Sequence, residues 1–340
     1  MLRVAAFTLT AVVGLATAMG PAKSETIVFN SFAPPQFVIN QGMIDVWAKD
    51  VDKNSQGRLK VTIPAQSLAA PQQQWEMVTQ GVADGAYIAN VFAQKRLLLP
   101  QIGNLPFFSP TGVAMARALW HIHKEMFEKA NEHKGVHFLG YFGAPAPHIF
   151  SLNKPFTKID DLKDVKTWSL PGDQSRALAA LGAVIVPGPA VRSYEIISKG
   201  IVEAFGGQSI DSSYQFNIAQ FAKSVTMIPG GMGGAGFSVF MNQQKWDGLS
   251  KQDQDVITNL SGEQFAFMTK VWDDRDVKSQ QRMHDEGKIE MLAASPELVK
   301  GLHEKWVFLE NEWIEKANTR HIDGKAALAR FKELLAEYSK

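Results

Sequence analysis

Apolar and polar positions alternate with a period of two in some stretches of the chain and near 3.6 in others, and the switches between them outline its elements. The run "TIVFNSFAPP", residues 26–35, reads as a strand stopped by a double proline. Behind it, "FVINQGMIDVWAKDVDKNSQG" carries Ile39, Met43, Val46 and Trp47 at helical spacing. "RLKVTIP" alternates as a strand, "PQQQWEMVTQG" predicts a short helix closed by Gly81, and "AYIANVF" predicts the next strand. Strand and helix in this order predict a parallel sheet with its pocket beyond the carboxyl ends of the strands, here "SFAPP" and "ANVF".

The same grammar restarts further on. "VHFLGYF" and "HIFSLN" read as strands, "KIDDLKDV" as a short helix, "KTWSLP" as a strand end, "DQSRALAALG" as a helix and "AVIVP" as another strand. "AVRSYEIISKG" is then a helix stopped by Gly200, leading into the strand "IVEAFGG". The segments "EMVTQGVADGAYIA" (76–89) and "EIISKGIVEAFGGQ" (195–208) echo one another. Each is a helix, a glycine cap and the start of a pocket-edge strand; as a true internal repeat the echo is weak, since converging strand–helix grammar explains it equally well.

Composition narrows the class. The 340 residues are 45% hydrophobic and 20% charged, with 35 Lys and Arg against 34 Asp and Glu. That is ordinary globular material with no basic excess, so no nucleic-acid partner is expected. At the start, "MLR" precedes an apolar run, and Ala22 and Ser24 are small residues placed as in a signal-peptidase site before Glu25. Residues 1–24 are therefore expected to be a cleaved export signal. The chain contains no cysteine, which leaves no lipid-anchor site and no disulfide framework. A soluble protein of the periplasm is the expectation.

Four ordered blocks carry a family resemblance: "GRLKVTIPAQSLAAPQQQWEMVTQGVADGAYI", "HIFSLNKPFTKIDDLKDVKTWSLPG", "LGAVIVPGPAVRSYEIISKGIVEAFGG" and "FSVFMNQQKWDGLSKQDQDVI". Over nearly the whole mature length the chain resembles the DctP-like solute-binding proteins of TRAP transporters. The resemblance implies an α/β, two-domain, periplasmic-binding-protein-like fold, with a ligand cleft between the domains and a long helix spanning both. The implied division is a first domain from 25–147, a second from 148–230, a return segment 231–262 completing the first, and C-terminal helices over 263–340. Residues 250–287 are the candidate for the long helix, capped by Ser250, with Asp253 and Asp255 in its first turn and Gly287 at its end; it must span domains or kink at Gly262. The implied function is capture of a small organic acid by hinge closure and delivery to the membrane subunits of a TRAP transporter, by a monomer, without catalysis or cofactor. A binding protein of another transporter class, a sensor's periplasmic partner, and an exported enzyme are the alternatives.

The chain departs from the family where the ligand carboxylate is usually clamped. The family arginine of a "K-I-R-V-P"-like strand is matched by Trp168 in "KTWSLPG", with Ser169 beside it and one extra residue before Pro171. A second family arginine is matched by His148 in "HIFSLNKP". Trp168 is either an aromatic cleft wall or core filling, and His148 either a ligand donor or an ordinary strand residue. Strand ends add Phe32, Phe37, Asn90, Phe92, Gly207 and Gln208 as ligand-binding candidates. Tyr214 and Arg176 follow, the latter as a substitute cation. Without the arginines the simple dicarboxylate picture weakens, and aromatic acids, sulfonates, keto acids and neutral compounds remain open.

Other motifs carry less. "GMGGAG", residues 231–236, has the glycine spacing of a dinucleotide loop, but the strand pattern "FSVFMN" follows it where a helix N-terminus is needed, so a hinge or pocket-edge segment is expected. "HIH" (121–123) and "HKGVH" (133–137) lack a third ligand at metal spacing, and no metal is expected.

Overall fold

A computed structural model describes residues 24–340. Apart from Ser24, the expected export signal lies outside the described residues. Among the described residues eleven strands are formed: β1 Glu25–Asn30, β2 Leu59–Thr62, β3 Gly85–Ala89, β4 Val136–Gly143, β5 His148–Ser151, β6 Lys166–Ser169, β7 Val184–Pro187, β8 Ala204–Gln208, β9 Ser224–Met227, β10 Gly236–Asn242 and β11 Glu290–Ala293. They make two sheets, ordered β2-β1-β3-β10-β4 and β11-β9-β5-β8-β6-β7.

The first sheet has the parallel pairing that its strand–helix grammar predicts: β1 lies parallel to both β2 and β3. β10 enters from the second half of the chain and runs antiparallel between β3 and β4. In the helical stretch after β1, Ile39, Met43 and Trp47 are buried as their spacing predicts, whereas Val46 faces solvent. The buried stripe runs Met43, Trp47, Val51, four residues apart, and leaves Val46 off its edge.

The two lobes are joined by crossing segments. Residues 144–147, with Pro145 and Pro147, connect β4 to β5, and residues 228–235 connect β9 to β10. The two segments hydrogen-bond to each other: Ala144 N donates to Ala235 O at 3.0 Å and Met232 N to Pro147 O at 2.9 Å. Gly231 has φ +77°, and a Cβ there would lie 2.5 Å from Pro147 Cδ. Glycine is thus required by close backbone packing, and the segment runs straight into a strand as its pattern predicts.

The candidate long helix of residues 250–287 is broken. It forms Lys251–Asn259, then Glu263–Met268, then Lys270–Glu286. The break falls at Gly262, φ +65°, whose N–H donates to Leu139 O at 2.6 Å while the Trp120 ring occupies the space a Cβ would need. The helix Lys270–Glu286 then crosses between lobes. On it, Asp273 accepts from Gly112 N and Val113 N, at 2.8 and 2.9 Å, at the start of a first-lobe helix, Gly112–Ile122. One turn on, Asp276 accepts from Asp211 N at 2.7 Å in the second lobe. β11 follows and pairs with β9, a strand too short for its alternation to be read from sequence.

A second helix straddles the lobes. Pro296–Asn318, 23 residues and so about 35 Å long, donates from Trp306 Nε1 to Ala177 O (2.8 Å) and from Trp313 Nε1 to Leu99 O (3.2 Å). The spanning role is therefore divided between Lys270–Glu286 and Pro296–Asn318. Among the described residues no helix is long and apolar enough to cross a membrane.

Candidate functional site

The carboxyl ends of strands from both sheets converge on one cavity of about 80 Å³ between the lobes. From the first sheet come Phe32 and Ala33 beyond β1, and Ala89, Val91 and Phe92 at the end of β3. From the second come Pro171, Asp173 and Gln174 beyond β6, Pro189 to Val191 beyond β7, and Gly207 to Ser209 at the end of β8. The crossing segments form the floor with Ala144, Pro145, Pro147, Gly234 and Ala235, the start of β10 adds Gly236 and Phe237, and the helix Lys270–Glu286 contributes Trp272.

The lobes touch across this cavity. The rings of Phe37 and Phe216 lie 4.4 Å apart, and Val38 N donates to Gln215 Oε1 at 3.0 Å. The first-lobe rings are held from behind by other rings: Phe32 lies 4.7 Å from Tyr87, and Phe237 stacks on Phe142 at 4.5 Å. Rigid aromatic surface of this kind is what buries a flat apolar ligand.

The opposite wall is mixed: Leu170, Pro171, Pro189 to Val191 and Phe216 are apolar or aromatic, and polar side chains gather beyond β6 and β8. The ladder between β5 and β8 shifts register between His148 and Ile149, which are matched to Gln208 and Gly206. This bulge leaves Gly207 over, at φ +86°, and Gln174 Oε1 fills the place of its missing side chain. Gln174 Nε2 donates to Gly233 O at 2.6 Å and to Gly234 O at 3.3 Å, while Oε1 is buried without a partner. Trp272 Nε1 is buried and unpartnered as well. Among the described residues lining the cavity, Asp173 is the single charged side chain. Burial pushes its carboxyl up from the ordinary value, against the pull of Arg176 at 3.1 Å.

Of the candidates read from sequence, Phe32, Phe37, Phe92, Gly207 and Gln208 come together on this cavity. The others do not line it. Trp168 is 0% exposed and packs with Phe150, Phe205 and Ile197 in the core of the second lobe. Its ring is used up in that core, and the chain reaches the cleft only beyond the end of β6, at Leu170 and Pro171. His148 is 3% exposed; its Nδ1 accepts from Ile228 N at 3.2 Å, and burial pushes its pKa down to about 4, so it is a neutral strand residue. Ser169 locks the following turn, donating to Leu170 O at 3.0 Å and sharing a 2.8 Å hydrogen bond with Ser175. Asn90 lies behind the wall, its Oδ1 accepting from Ser238 Oγ at 2.7 Å. Tyr214 faces outward, its hydroxyl on Glu286 at 3.3 Å under Arg282. Arg176 is committed to Asp173 and Glu312 and supplies no free cation.

Sequence reading missed Asp173, Gln174, Phe237, Phe216 and Trp272. The first two directly follow the "LPG" strand end and were within reach of the strand-end rule. Trp272 carries no local signal, because its place depends on where a distant helix crosses. Of the histidine motifs, His121 Nε2 lies 3.0 Å from Glu263, and His123 and His133 pack edge to face with centroids 5.4 Å apart. Among the described residues no group of three or more His, Asp or Glu is placed to hold a metal ion.

Comparison with known proteins agrees with this architecture. Residues 29–307 match the family model described as bacterial extracellular solute-binding protein, family 7. The outer membrane transporter protein TsaT of Comamonas testosteroni is 34% identical over 307 residues, covering 90% of each chain. A TRAP periplasmic solute-binding protein of Bordetella bronchiseptica, solved with (R)- and (S)-mandelate, is 27% identical, with a TM-score of 0.88 over 92% of this chain and 99% of that one. A marine-metagenome TRAP solute-binding protein specific for aromatic acid ligands, solved with 3-hydroxybenzoate, is 25% identical, with a TM-score of 0.84 over 93% and 99%.

Proposed function

The chain belongs to bacterial extracellular solute-binding protein family 7, and from that premise we propose that it captures a small aromatic acid and delivers it to the membrane subunits of a TRAP-type transporter. The observation that carries this reading is the cavity itself: enclosed between two lobes, walled on one side by Phe32, Phe37, Phe92 and Phe237, and lined by no Lys or Arg among the described residues. A C4-dicarboxylate has two charges and no ring, so it would enter this space without a guanidinium to replace its water and without apolar surface to bury. An aromatic acid has one charge and a flat ring that matches the first-lobe wall. The mandelate and 3-hydroxybenzoate held by the two solved relatives support the same class.

Capture proceeds by hinge closure, the cross-lobe contacts at Phe37–Phe216 and Val38–Gln215 belonging to the closed state. The work is done in the periplasm after removal of residues 1–24, and the ligand is released unchanged. Calorimetric titration of the mature protein with benzoate, mandelate and 3-hydroxybenzoate, against succinate, tests the ligand class. Aromatic acids are expected to bind and succinate not to; tighter binding of succinate would overturn the reading. Scattering on the same samples is expected to give a smaller radius of gyration with ligand, and N-terminal sequencing of periplasmic material a start at Glu25.

A further inference from the structure

Gln174 combines a fixed orientation with an unmet hydrogen bond. Its Nε2 donates to two backbone carbonyls of the crossing segment, Gly233 O and Gly234 O, so its amide cannot be flipped without setting oxygen against oxygen. Oε1 is therefore an acceptor by necessity. The residue is 3% exposed, lines the cavity, and leaves Oε1 without a partner. A buried acceptor in that condition calls for a donor, and none is supplied by the described residues around it.

We propose that the ligand brings a hydroxyl group to Gln174 Oε1, so that the site selects hydroxylated aromatic acids over their deoxy analogues. The inference rests on the aromatic-acid reading above. Asp173 sets the polarity of the same wall: its carboxylate repels a second anion, so the ligand's acidic end lies away from it. The indole N–H of Trp272, also unpartnered and on a different element of the lining, offers a donor for that end. The wall with Gln174 is thus left for the neutral, donating end. Gly207 belongs to the same device, since any side chain there would take the place that Oε1 holds.

A ring without the hydroxyl fills the same space but leaves Oε1 buried and unpaired. Leaving such a group unsatisfied corresponds to roughly a 5- to 150-fold loss in affinity. The test is calorimetric titration of the mature wild-type protein with two matched pairs, 3-hydroxybenzoate with benzoate and mandelate with phenylacetate. At least one hydroxy acid is expected to bind about 5-fold or more tightly than its partner. In Gln174→Leu, checked for folding by its unliganded melting curve, that preference is expected to shrink to about twofold or less. Equal affinities within both pairs in the wild type would overturn the inference and leave the aromatic-acid reading standing. Failure of all four compounds to bind would overturn both. A preference that persists in a folded Gln174→Leu would assign the hydroxyl to another acceptor and overturn the role of Gln174. Equal affinities in the wild type overturn the inference even if the variant does not fold.

Discussion

The wall that the first lobe gives the cavity and the wall given by the second are built of different chemistry. Phe32 and Phe237 present rings backed by Tyr87 and Phe142, so the first wall is a continuation of an aromatic core. The second presents Asp173, Gln174, Gln208, Ser209 and Ser212 around a bulged glycine, and its own largest ring, Trp168, is turned inward. Apolar area is non-directional, whereas hydrogen bonds have angles. In the proposed complex the first wall therefore supplies most of the affinity and the second decides which way round the ligand sits.

The largest effect that would break this contrast is at Trp168. If the second wall owes nothing to its ring, Trp168→Ala costs about 3–5 kcal/mol of fold stability in chemical denaturation, and whatever remains folded binds ligand as before. A binding defect at unchanged stability would place the Trp168 ring on the second wall after all. Next comes His148, which supports that wall through its ladder partner Gln208. Burial holds its folded pKa at about 4, below the ordinary imidazole value of 6.5, so the unfolded chain takes up the proton first as pH falls. Its contribution is present above pH 6.5 and lost between there and about pH 4. The stability advantage of wild type over His148→Gln is expected to shrink by roughly 3 kcal/mol over that window, measured by denaturation at successive pH values.

On the aromatic side, Phe32→Ala is expected to weaken aromatic-acid binding by about 1.5–2 kcal/mol, roughly 10- to 30-fold, with a small change in the unliganded melting point. Loss of stability without loss of affinity would move Phe32 from the wall into the core. The smallest effect is expected at Arg176, which is half-exposed and tied to Asp173 and Glu312. Arg176→Ala should cost about 1 kcal/mol or less in stability and leave affinity within about twofold by calorimetry. A large loss of affinity would make it the missing cation.

The fold was legible because its elements are local. Gly81 and Gly200 do end helices at positive φ, and the strand–helix grammar on either side of them is realised in the two sheets. The cavity lining was legible where it lies at strand ends, at Phe32, Phe92 and Gly207. It was not legible at Trp168, because a single strand's alternation does not say which face turns toward the other lobe. Phe216 and Trp272 are brought to the cavity by long-range packing that no local pattern encodes. The division of the spanning helix at Gly262 was one of the two outcomes open in the sequence, and the close approach of the Trp120 ring is the tertiary fact that decides it.

The glycine-rich crossing segment has a consequence for how such a site can be adapted. Between Gly230 and Gly234 the segment that carries the cavity floor is main chain pressed against main chain, Gly230 against Phe107, Gly233 against Asn104 and Gly234, which lines the cavity, against Gly103. Side-chain exchange is the currency of adaptation, and this stretch has little to exchange: a substitution at Gly230, Gly231 or Gly233 adds atoms where backbone already stands. Selection for a new ligand, in nature or in a randomised library, therefore has to draw on the two walls, while the floor stays as a common chassis.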